Sequence, residues 1–170
     1  GGARLVLALP RAGRLYAAAA LFRTLKRPMI YVTASVDASR MAADALSHLT
    51  GVDAPRFAEP NTAFYDTVAP VRDVIAQRSA VLAAVIEMAA SPGIVVTSPR
   101  ALMHPTLPPA AFRLGTRVIQ LDQTLSLDAM LKHWVGSGYE NEQVVERVGA
   151  FSRRGGIIDI YPPGADAPVR

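Results

Sequence analysis

Short apolar runs alternate with amphipathic segments over the first hundred residues. An apolar run between turn residues predicts a buried strand, and apolar positions at helical spacing predict a helix. The predicted strands are residues 4–9, 29–33, 56–58 and 94–97. The predicted helices are residues 15–25, a segment that Ser35 or Asp37 caps and Gly51 ends, and residues 71–90. A predicted loop with Phe64, Tyr65 and Asp66 precedes the last helix. This alternation predicts βαβ units around a parallel sheet.

The pattern changes after Pro105, in a proline-rich bridge. Residues 117–121 predict a strand, and Ser126 is a candidate N-cap for a short helix with an apolar face. Two strand-like runs then flank Gly155-Gly156, which predicts an antiparallel hairpin. We therefore predict an α/β domain over residues 1–116 and the first part of a truncated α+β domain over residues 117–170.

The hairpin stretch, residues 149–164, reads GAFSRRGGIIDIYPPG. A two-residue Gly-Gly turn sets Arg154 opposite Ile157 and Ser152 opposite Asp159. Because side chains alternate across a sheet, neighbouring residues such as Arg153 and Arg154 lie on opposite faces. The predicted core face carries Phe151, Arg153, Ile158 and Ile160, and the predicted exposed face carries Ser152, Arg154, Ile157, Asp159 and Tyr161.

The mixed exposed face of the hairpin allows two interpretations. Arg and Tyr are favoured anchors at interfaces, so a guanidinium, a carboxylate and a phenol together suit recognition of a protein surface. The alternative is a solvated face on which an Arg154–Asp159 ion pair contributes little. An RNA-binding Arg-Gly-Gly segment fits less well, because such segments are repeated and disordered, whereas this one is single and flanked by strand formers.

Composition allows a sizeable core and narrows the class of protein. Hydrophobic residues make up 51% of the 170 residues, and the net charge of +4 permits an acidic partner without requiring one. The absence of cysteine excludes disulfides and thiolate metal sites and suits a reducing cytoplasm. No apolar run approaches the ~18 residues of a membrane span. Without an initiator Met or a signal peptide, the chain is expected to be an excerpt of a longer cytoplasmic protein.

The first predicted strand-loop-helix is where a phosphate-binding P-loop would lie. That motif reads G-x-x-x-x-G-K-[ST], because backbone N–H groups, a lysine and a magnesium-holding hydroxyl must converge on the phosphates. Here Gly13 matches the second glycine, while Ala8, Arg14 and Leu15 replace the first glycine, the lysine and the hydroxyl residue. We expect an ordinary turn here, and no cofactor or metal in this chain.

Other candidates for catalysis are weak. The three histidines are far apart in sequence and show no metal-ligand spacing. Glu140, Glu142 and Glu146 could pair for acid–base chemistry, but helical spacing of the last two favours the exposed face of a short segment. No serine lies in a nucleophile elbow. We therefore expect no catalytic site.

Residues 137–170, SGYENEQVVERVGAFSRRGGIIDIYPPGADAPVR, resemble the start of the second domain of bacterial transcription-repair coupling factor. The shared pattern is Gly-Tyr, a dozen residues, Phe-x-x-Arg-Gly-Gly, an apolar strand with an acid, Pro-Pro and Pro-x-Arg. FYDTVAPVRDVIAQRSAVL is similar to a loop and helix of that family, and GIVVTSPRALMHPTLPP to the strand that leads out of its first domain. The B component of the bacterial excinuclease carries a related pattern.

The resemblance implies a degenerate RecA-like domain that has lost its nucleotide site, followed by the start of an inserted α+β domain. That second domain is implied to dock on the excinuclease A component, bringing nucleotide excision repair to a stalled RNA polymerase. The ATP- and magnesium-dependent motor, and the binding of RNA polymerase and double-stranded DNA, are implied to belong to other parts of the parent. A DNA-binding fragment of the kind found in the excinuclease B component and a divergent P-loop NTPase are the alternatives.

The resemblance also implies partner-binding residues. Arg154 and Arg170 match arginines of the related domain in the excinuclease B component, and Asn141 and Ser152 stand where that domain tends to have arginines. Asp159 and Tyr161 complete the expected set, because they share the predicted exposed face with Arg154. Arg154 is thus indicated both by strand alternation and by the resemblance.

Overall fold

A computed structural model describes residues 4–60 and 72–170; the loop with Phe64, Tyr65 and Asp66 lies outside these ranges. The helices are α1 (Gly13–Leu25), α2 (Val36–Thr50), α3 (Arg72–Glu87), α4 (Pro99–Met103), α5 (Pro109–Gly115) and α6 (Leu127–Gly136). The strands are β1 (Met29–Val32), β2 (Ile94–Thr97), β3 (Glu140–Asn141), β4 (Ala150–Arg154) and β5 (Ile157–Ile160). Two compact units result: unit 1 takes the described parts of Gly1–Glu59 and Val81–Met103, and unit 2 those of Pro60–Ala80 and His104–Arg170.

Unit 1 is built on a parallel pair of strands. β1 and β2 pair in the register Met29 with Ile94 through Val32 with Thr97, and Arg56 forms a single parallel bridge to Val96 on the other side of β2. The predicted strand at residues 56–58 is thus reduced to one bridge. A parallel pair needs a long connection between its strands, and here α2 and α3 lie in that connection.

Both faces of β2 are covered, which explains why all four of its residues are buried. Ile94 and Val96 belong to a core cluster with α1 and α2, in which Leu46 is fully buried. Val95 points to a second cluster with Phe57, Val81 and Ala101. The continuous apolar run at residues 94–97 therefore reflects alternation between two separate cores.

Local signals set the ends of α2 as the sequence predicts. The Ser35 side chain accepts a hydrogen bond from the Ala38 N–H at 3.2 Å, satisfying a donor that the first turn leaves without a helical partner. Gly51 ends the helix with a φ of 71°, a left-handed conformation that glycine adopts without steric cost. The choice between Ser35 and Asp37 as the cap is therefore settled in favour of Ser35.

Two predicted strands are wrong. Residues 4–9 and 117–121 do not form strands. Leu5, Val6 and Leu7 are 51–77% exposed, and Leu121 is 96% exposed. A short apolar run becomes a strand only when a neighbouring strand supplies hydrogen-bond partners and a packed face, which the sequence of the run does not encode.

Unit 2 contains a three-stranded sheet in the order β3-β4-β5. β4 and β5 pair with Arg154 opposite Ile157 and Phe151 opposite Ile160, so the predicted hairpin register is confirmed. Gly155 has a φ of 64° and Gly156 does not have a positive φ, which is the φ pattern of a type II′ turn. The sequence did not predict β3, which pairs parallel to β4 over only two residues and is too short for a periodic signal.

The core of unit 2 lies between α6 and the inner face of the hairpin. Met130, Trp134 and Phe151 are buried together, and the Trp134 and Phe151 rings are 5.6 Å apart at 54°. Tilted rings at this separation are a favourable aromatic arrangement. Tyr139 packs against the same cluster, and burial raises the pKa of its phenol. The predicted apolar face of the Ser126-capped helix is confirmed.

The chain is thus a mixed α/β protein with a small parallel sheet and a three-stranded hairpin sheet, which confirms the predicted fold class at that level. In the part of the chain that the structure describes, no helix has the length and apolar character needed to cross a bilayer.

Candidate partner-binding surface

The hairpin and the residues that follow it bring three charged residues together. Val169 pairs antiparallel with Ile160, with backbone hydrogen bonds of 2.8 and 2.9 Å in the two directions. Continuing this register by one residue on each side sets Arg170 opposite Asp159. On its other edge, β5 pairs with β4, where Ser152 lies opposite Asp159. Arg154 is two residues after Ser152 on the same strand, so it shares a face of the sheet with Asp159 and Arg170.

Asp159 is held by Arg170. The Arg170 guanidinium donates from Nε to Asp159 Oδ1 at 2.7 Å and from its terminal nitrogen to Oδ2 at 3.3 Å. This two-point hydrogen bond lowers the pKa of Asp159; partial burial acts in the opposite direction, and the charges of Arg170 and Arg154 add to the lowering. The direct Arg154–Asp159 pair considered from the sequence is corrected to an Arg170–Asp159 pair, because a third chain segment adds to the hairpin.

Arg154 is exposed and points its guanidinium along the connection between β3 and β4. It donates to the Gln143 carbonyl oxygen at 2.8 Å. Among residues 4–60 and 72–170, Arg154 forms no ion pair with a carboxylate, so its charge is available to a partner. Arg153 lies on the opposite face, where its guanidinium contacts Asp128 of α6 at 3.3 Å.

Ser152 lies on the Arg154 face but is only 4% exposed, so its predicted exposure is wrong. The connection between β3 and β4 folds over this end of the face, and the Ser152 hydroxyl donates to the Gln143 carbonyl oxygen at 3.3 Å. Alternation along a strand sets the face of a residue, but a covering segment decides whether that face meets solvent.

The same connection, residues 142–149, is closed by an arginine that no pattern in the sequence singles out. Arg147 donates from Nε to Glu142 at 2.8 Å and from a terminal nitrogen to Glu140 at 2.5 Å. These hydrogen bonds, the one to Glu142 first, raise the pKa of Arg147. Glu140 and Glu142 are thus loop anchors, and the helical spacing proposed for Glu142 and Glu146 does not apply, because no helix forms there.

Tyr161 and Asn141 lie at the margins of the surface. The Tyr161 hydroxyl donates to the Asp166 carbonyl oxygen at 3.1 Å, and the Tyr161 N–H donates to the Ala150 carbonyl oxygen at 3.0 Å. Asn141 is exposed but pairs in register with Phe151, which puts it on the opposite face from Arg154. By alternation along the strand, Tyr161 lies on the same face as Arg154. Asn141 lies on the opposite face.

An open depression of about 390 Å³ joins these features on unit 2. The lining residues are Val144, Val145, Arg154, Asp159, Pro168, Val169 and Arg170. Three of the predicted partner-binding residues, Arg154, Asp159 and Arg170, therefore meet at one place. Val144 and Val145 were missed, because a bend between two strands has no periodic signal that marks it as part of a surface.

The P-loop position lies in unit 1, at the start of α1. Ala8 is exposed in the segment before the helix, and Gly13, Arg14 and Leu15 form the first helical turn. The Gly13 N–H donates to the Pro10 carbonyl oxygen at 2.9 Å, so it is used within the turn. Among residues 4–60 and 72–170, no group of three or more His, Cys, Asp or Glu side chains is arranged to hold a metal ion.

Comparison with known proteins connects this surface to a family. The model of the UvrB interaction domain matches residues 118–170, which contain the whole depression. Over 95% of its length, the chain is 31% identical to a transcription-repair-coupling factor of Myxococcus xanthus. A relative of the same name from Mycobacterium tuberculosis is 30% identical over 98% of the chain, and one from Escherichia coli is 24% identical over 84%. The chain is thus similar, over most of its length, to proteins of the transcription-repair-coupling factor family.

The matches cover most of this chain but only a small part of each relative. The chain spans 14% of the length of the Myxococcus and Mycobacterium factors. The resemblance stated from the sequence is confirmed. Transcription-coupled DNA repair is the process with which this family is associated.

Proposed function

We propose that the chain is a non-catalytic adaptor region of a transcription-repair-coupling factor that recruits the excinuclease A component, a UvrA-type protein, to stalled RNA polymerase. The observation that carries this proposal is the coincidence of two findings on the same residues. The UvrB interaction domain covers residues 118–170, and within that range Arg154, Asp159 and Arg170 meet on one exposed face.

The chemistry of the surface supports a protein partner. Arg154 holds its guanidinium against a carbonyl oxygen, which orients the group, and within the described ranges no ion pair compensates its charge. Arginine is enriched at the energetic centres of interfaces, because its planar fork can bind a carboxylate through two hydrogen bonds. Arg170 is oriented by Asp159 in a similar way.

For unit 1 we propose a degenerate RecA-like domain. The support is a parallel β1–β2 pair with helices in its connection, together with the replaced P-loop residues Ala8, Arg14 and Leu15. We retain residues 1–116 and 117–170 as the proposed domains, since the family model begins at residue 118. The ATP- and magnesium-dependent DNA translocase, the binding of RNA polymerase and the cytoplasmic location are proposals for the parent.

The test is a titration of the 170-residue chain against the purified excinuclease A component by calorimetry. We expect the Arg154→Ala, Arg170→Ala double variant to bind at least tenfold more weakly, because two interface guanidiniums are lost. The single variant Arg154→Ala is compared with Arg153→Ala as its matched control, which also removes one positive charge but on the opposite face of the hairpin. Full affinity of the double variant would refute the assignment of the surface.

Direct DNA binding is the rival outcome, since exposed arginines also suit a phosphate backbone. A duplex titrated in place of the excinuclease A component distinguishes the two. Binding to phosphates falls steeply with salt, in proportion to the number of neutralised charges. We expect no measurable shift of the duplex at low salt; tight, salt-sensitive binding of the duplex would favour the rival.

A further inference from the structure

The depression on unit 2 has an apolar wall that the charged residues do not explain. Val144 is 58% exposed and lines the depression together with Val145 and Pro168. Arg154 and Arg170 lie at the same depression. A single exposed valine is common on protein surfaces, but one beside two oriented guanidiniums forms a surface of mixed apolar and basic character.

Two sets of side-chain hydrogen bonds hold the loop that carries Val144. On one side Arg147 binds Glu142, the residue two positions before Val144. On the other side the Gln143 carbonyl oxygen, one position before Val144, accepts hydrogen bonds from Arg154 and Ser152. A loop ordered before binding loses less conformational entropy when a partner docks, so contacts with Val144 convert more fully into affinity.

The charges of the depression indicate what the partner carries. The negative charge of Asp159 is already balanced by the Arg170 guanidinium, which donates two hydrogen bonds to it. The charged lining residues then sum to one net positive charge, which lies at Arg154. The complementary group is a carboxylate, and the apolar wall beside it requires an aliphatic or aromatic side chain.

We propose that Val144 and Arg154 form a two-part recognition site for an acidic segment of the partner protein, in which a carboxylate binds Arg154 and a neighbouring apolar side chain packs on Val144 and Pro168. This inference rests on the proposed function, because it takes the excinuclease A component as the source of the segment. It adds an aliphatic contact to the partner-binding residues expected from the sequence, which all carry polar groups.

The test compares Val144→Ala with Val135→Ala in the same titration against the excinuclease A component. Val135 is a matched control, since it is 59% exposed, belongs to unit 2 and is not among the lining residues of the depression. Val144→Ala removes two methyl groups from a buried contact, so we expect about tenfold weaker binding. Val135→Ala should bind like the unmodified chain.

The salt dependence of binding distinguishes the charged contact at Arg154 from the apolar contact at Val144. Raising the ionic strength from about 0.1 M to 1 M shortens the Debye length from about 10 Å to 3 Å, so the loss caused by Arg154→Ala should shrink. The loss caused by Val144→Ala should keep the same factor at both salt concentrations, because an apolar contact has no charge to screen. A Val144→Thr variant, which keeps the branched shape and adds a hydroxyl, should also bind more weakly.

The outcomes distinguish this inference from the proposed function. Unchanged binding by both Val144 variants, with weaker binding by Arg154→Ala, would overturn the inference and leave the proposed function standing. No binding by the unmodified chain would refute the proposed function and the inference with it. Thermal unfolding of each variant should show that the fold is kept, because Val144 is an exposed position.

Discussion

At the scale of single residues, the identity of a charged partner depends on which segments become neighbours. Asp159 is close to Arg154 across the hairpin, yet its hydrogen bonds come from Arg170, eleven positions along the chain. The side chains of Asp159 and Arg170 are 17% and 70% exposed, so the carboxylate is the sheltered member of the pair. The pair orders the arginine that the proposed partner would meet.

We predict that Arg170→Ala raises the pKa of Asp159 towards the ordinary value of about 4, because the largest cause of the lowering is lost. Since the folded pKa is lowered, the pair stabilises the fold above the unfolded value and ceases to do so as pH falls through the folded pKa. NMR titration of the Asp159 carboxyl carbon measures the shift. Arg153→Ala should leave this pKa unchanged, and an unchanged pKa in Arg170→Ala would contradict the pairing.

At the scale of elements, the hairpin shows how turn chemistry sets a register. The Gly-Gly pair between two strand-forming runs predicts a two-residue loop, and that loop length determines each cross-strand pair from Arg154–Ile157 to Phe151–Ile160. A slip by one residue would turn Phe151 out of the core and Ser152 into it. The exposed arrangement of Arg154 therefore depends on the turn.

We predict that Gly155→Ala destabilises the chain by about 1 kcal/mol, because an L-residue is disfavoured at the φ of 64° that the turn requires. A Cβ added there would meet no atom within 4 Å outside Gly155 and its two chain neighbours, so the loss comes from the local backbone conformation and not from a clash with another part of the fold. Gly156→Ala is the control, since its φ is not positive and its surroundings are also open. Urea unfolding measures both variants; equal losses would argue against a turn-specific effect.

The mispredicted elements are those whose pairing the local sequence does not determine. Residues 4–9 and 117–121 are apolar enough for strands, but their side chains are largely exposed and they pair with no strand in the described ranges. Conversely, β3 forms from Glu140 and Asn141, which have no strand character of their own. Its pairing depends on β4 being in place, so it could not be recognised along the sequence.

At the scale of the whole molecule, each unit has a core of its own. Unit 1 buries Leu46 and Val96 completely, and unit 2 buries Trp134 and Phe151 between α6 and the hairpin. The proposed partner surface lies on the outer face of the sheet whose inner face carries Phe151. The position of the surface on unit 2 therefore depends on that aromatic core.

We predict that Phe151→Ala destabilises unit 2 by about 3–5 kcal/mol, because it leaves a cavity against Trp134. Trp134 is the one tryptophan in the chain, so its fluorescence reports the unfolding of this core during a urea titration. Ile157→Ala, at a 52% exposed position of the same hairpin, should change stability by no more than about 0.5 kcal/mol. A similar loss in both variants would place Phe151 outside the core.

The sequence by itself determined the elements and faces that rest on local rules. The Ser35 cap, the buried strand β2, the apolar face of α6 and the hairpin register follow from hydrogen-bonding side chains, periodicity and turn chemistry, which act over a few residues. Only the tertiary structure decided what covers or contacts those faces. The β3–β4 connection buries Ser152 and adds Val144 to the surface. The segment at Val169 pairs with β5, so that Arg170 and not Arg154 binds Asp159. Burial and ion pairing depend on segments that meet only in the folded chain.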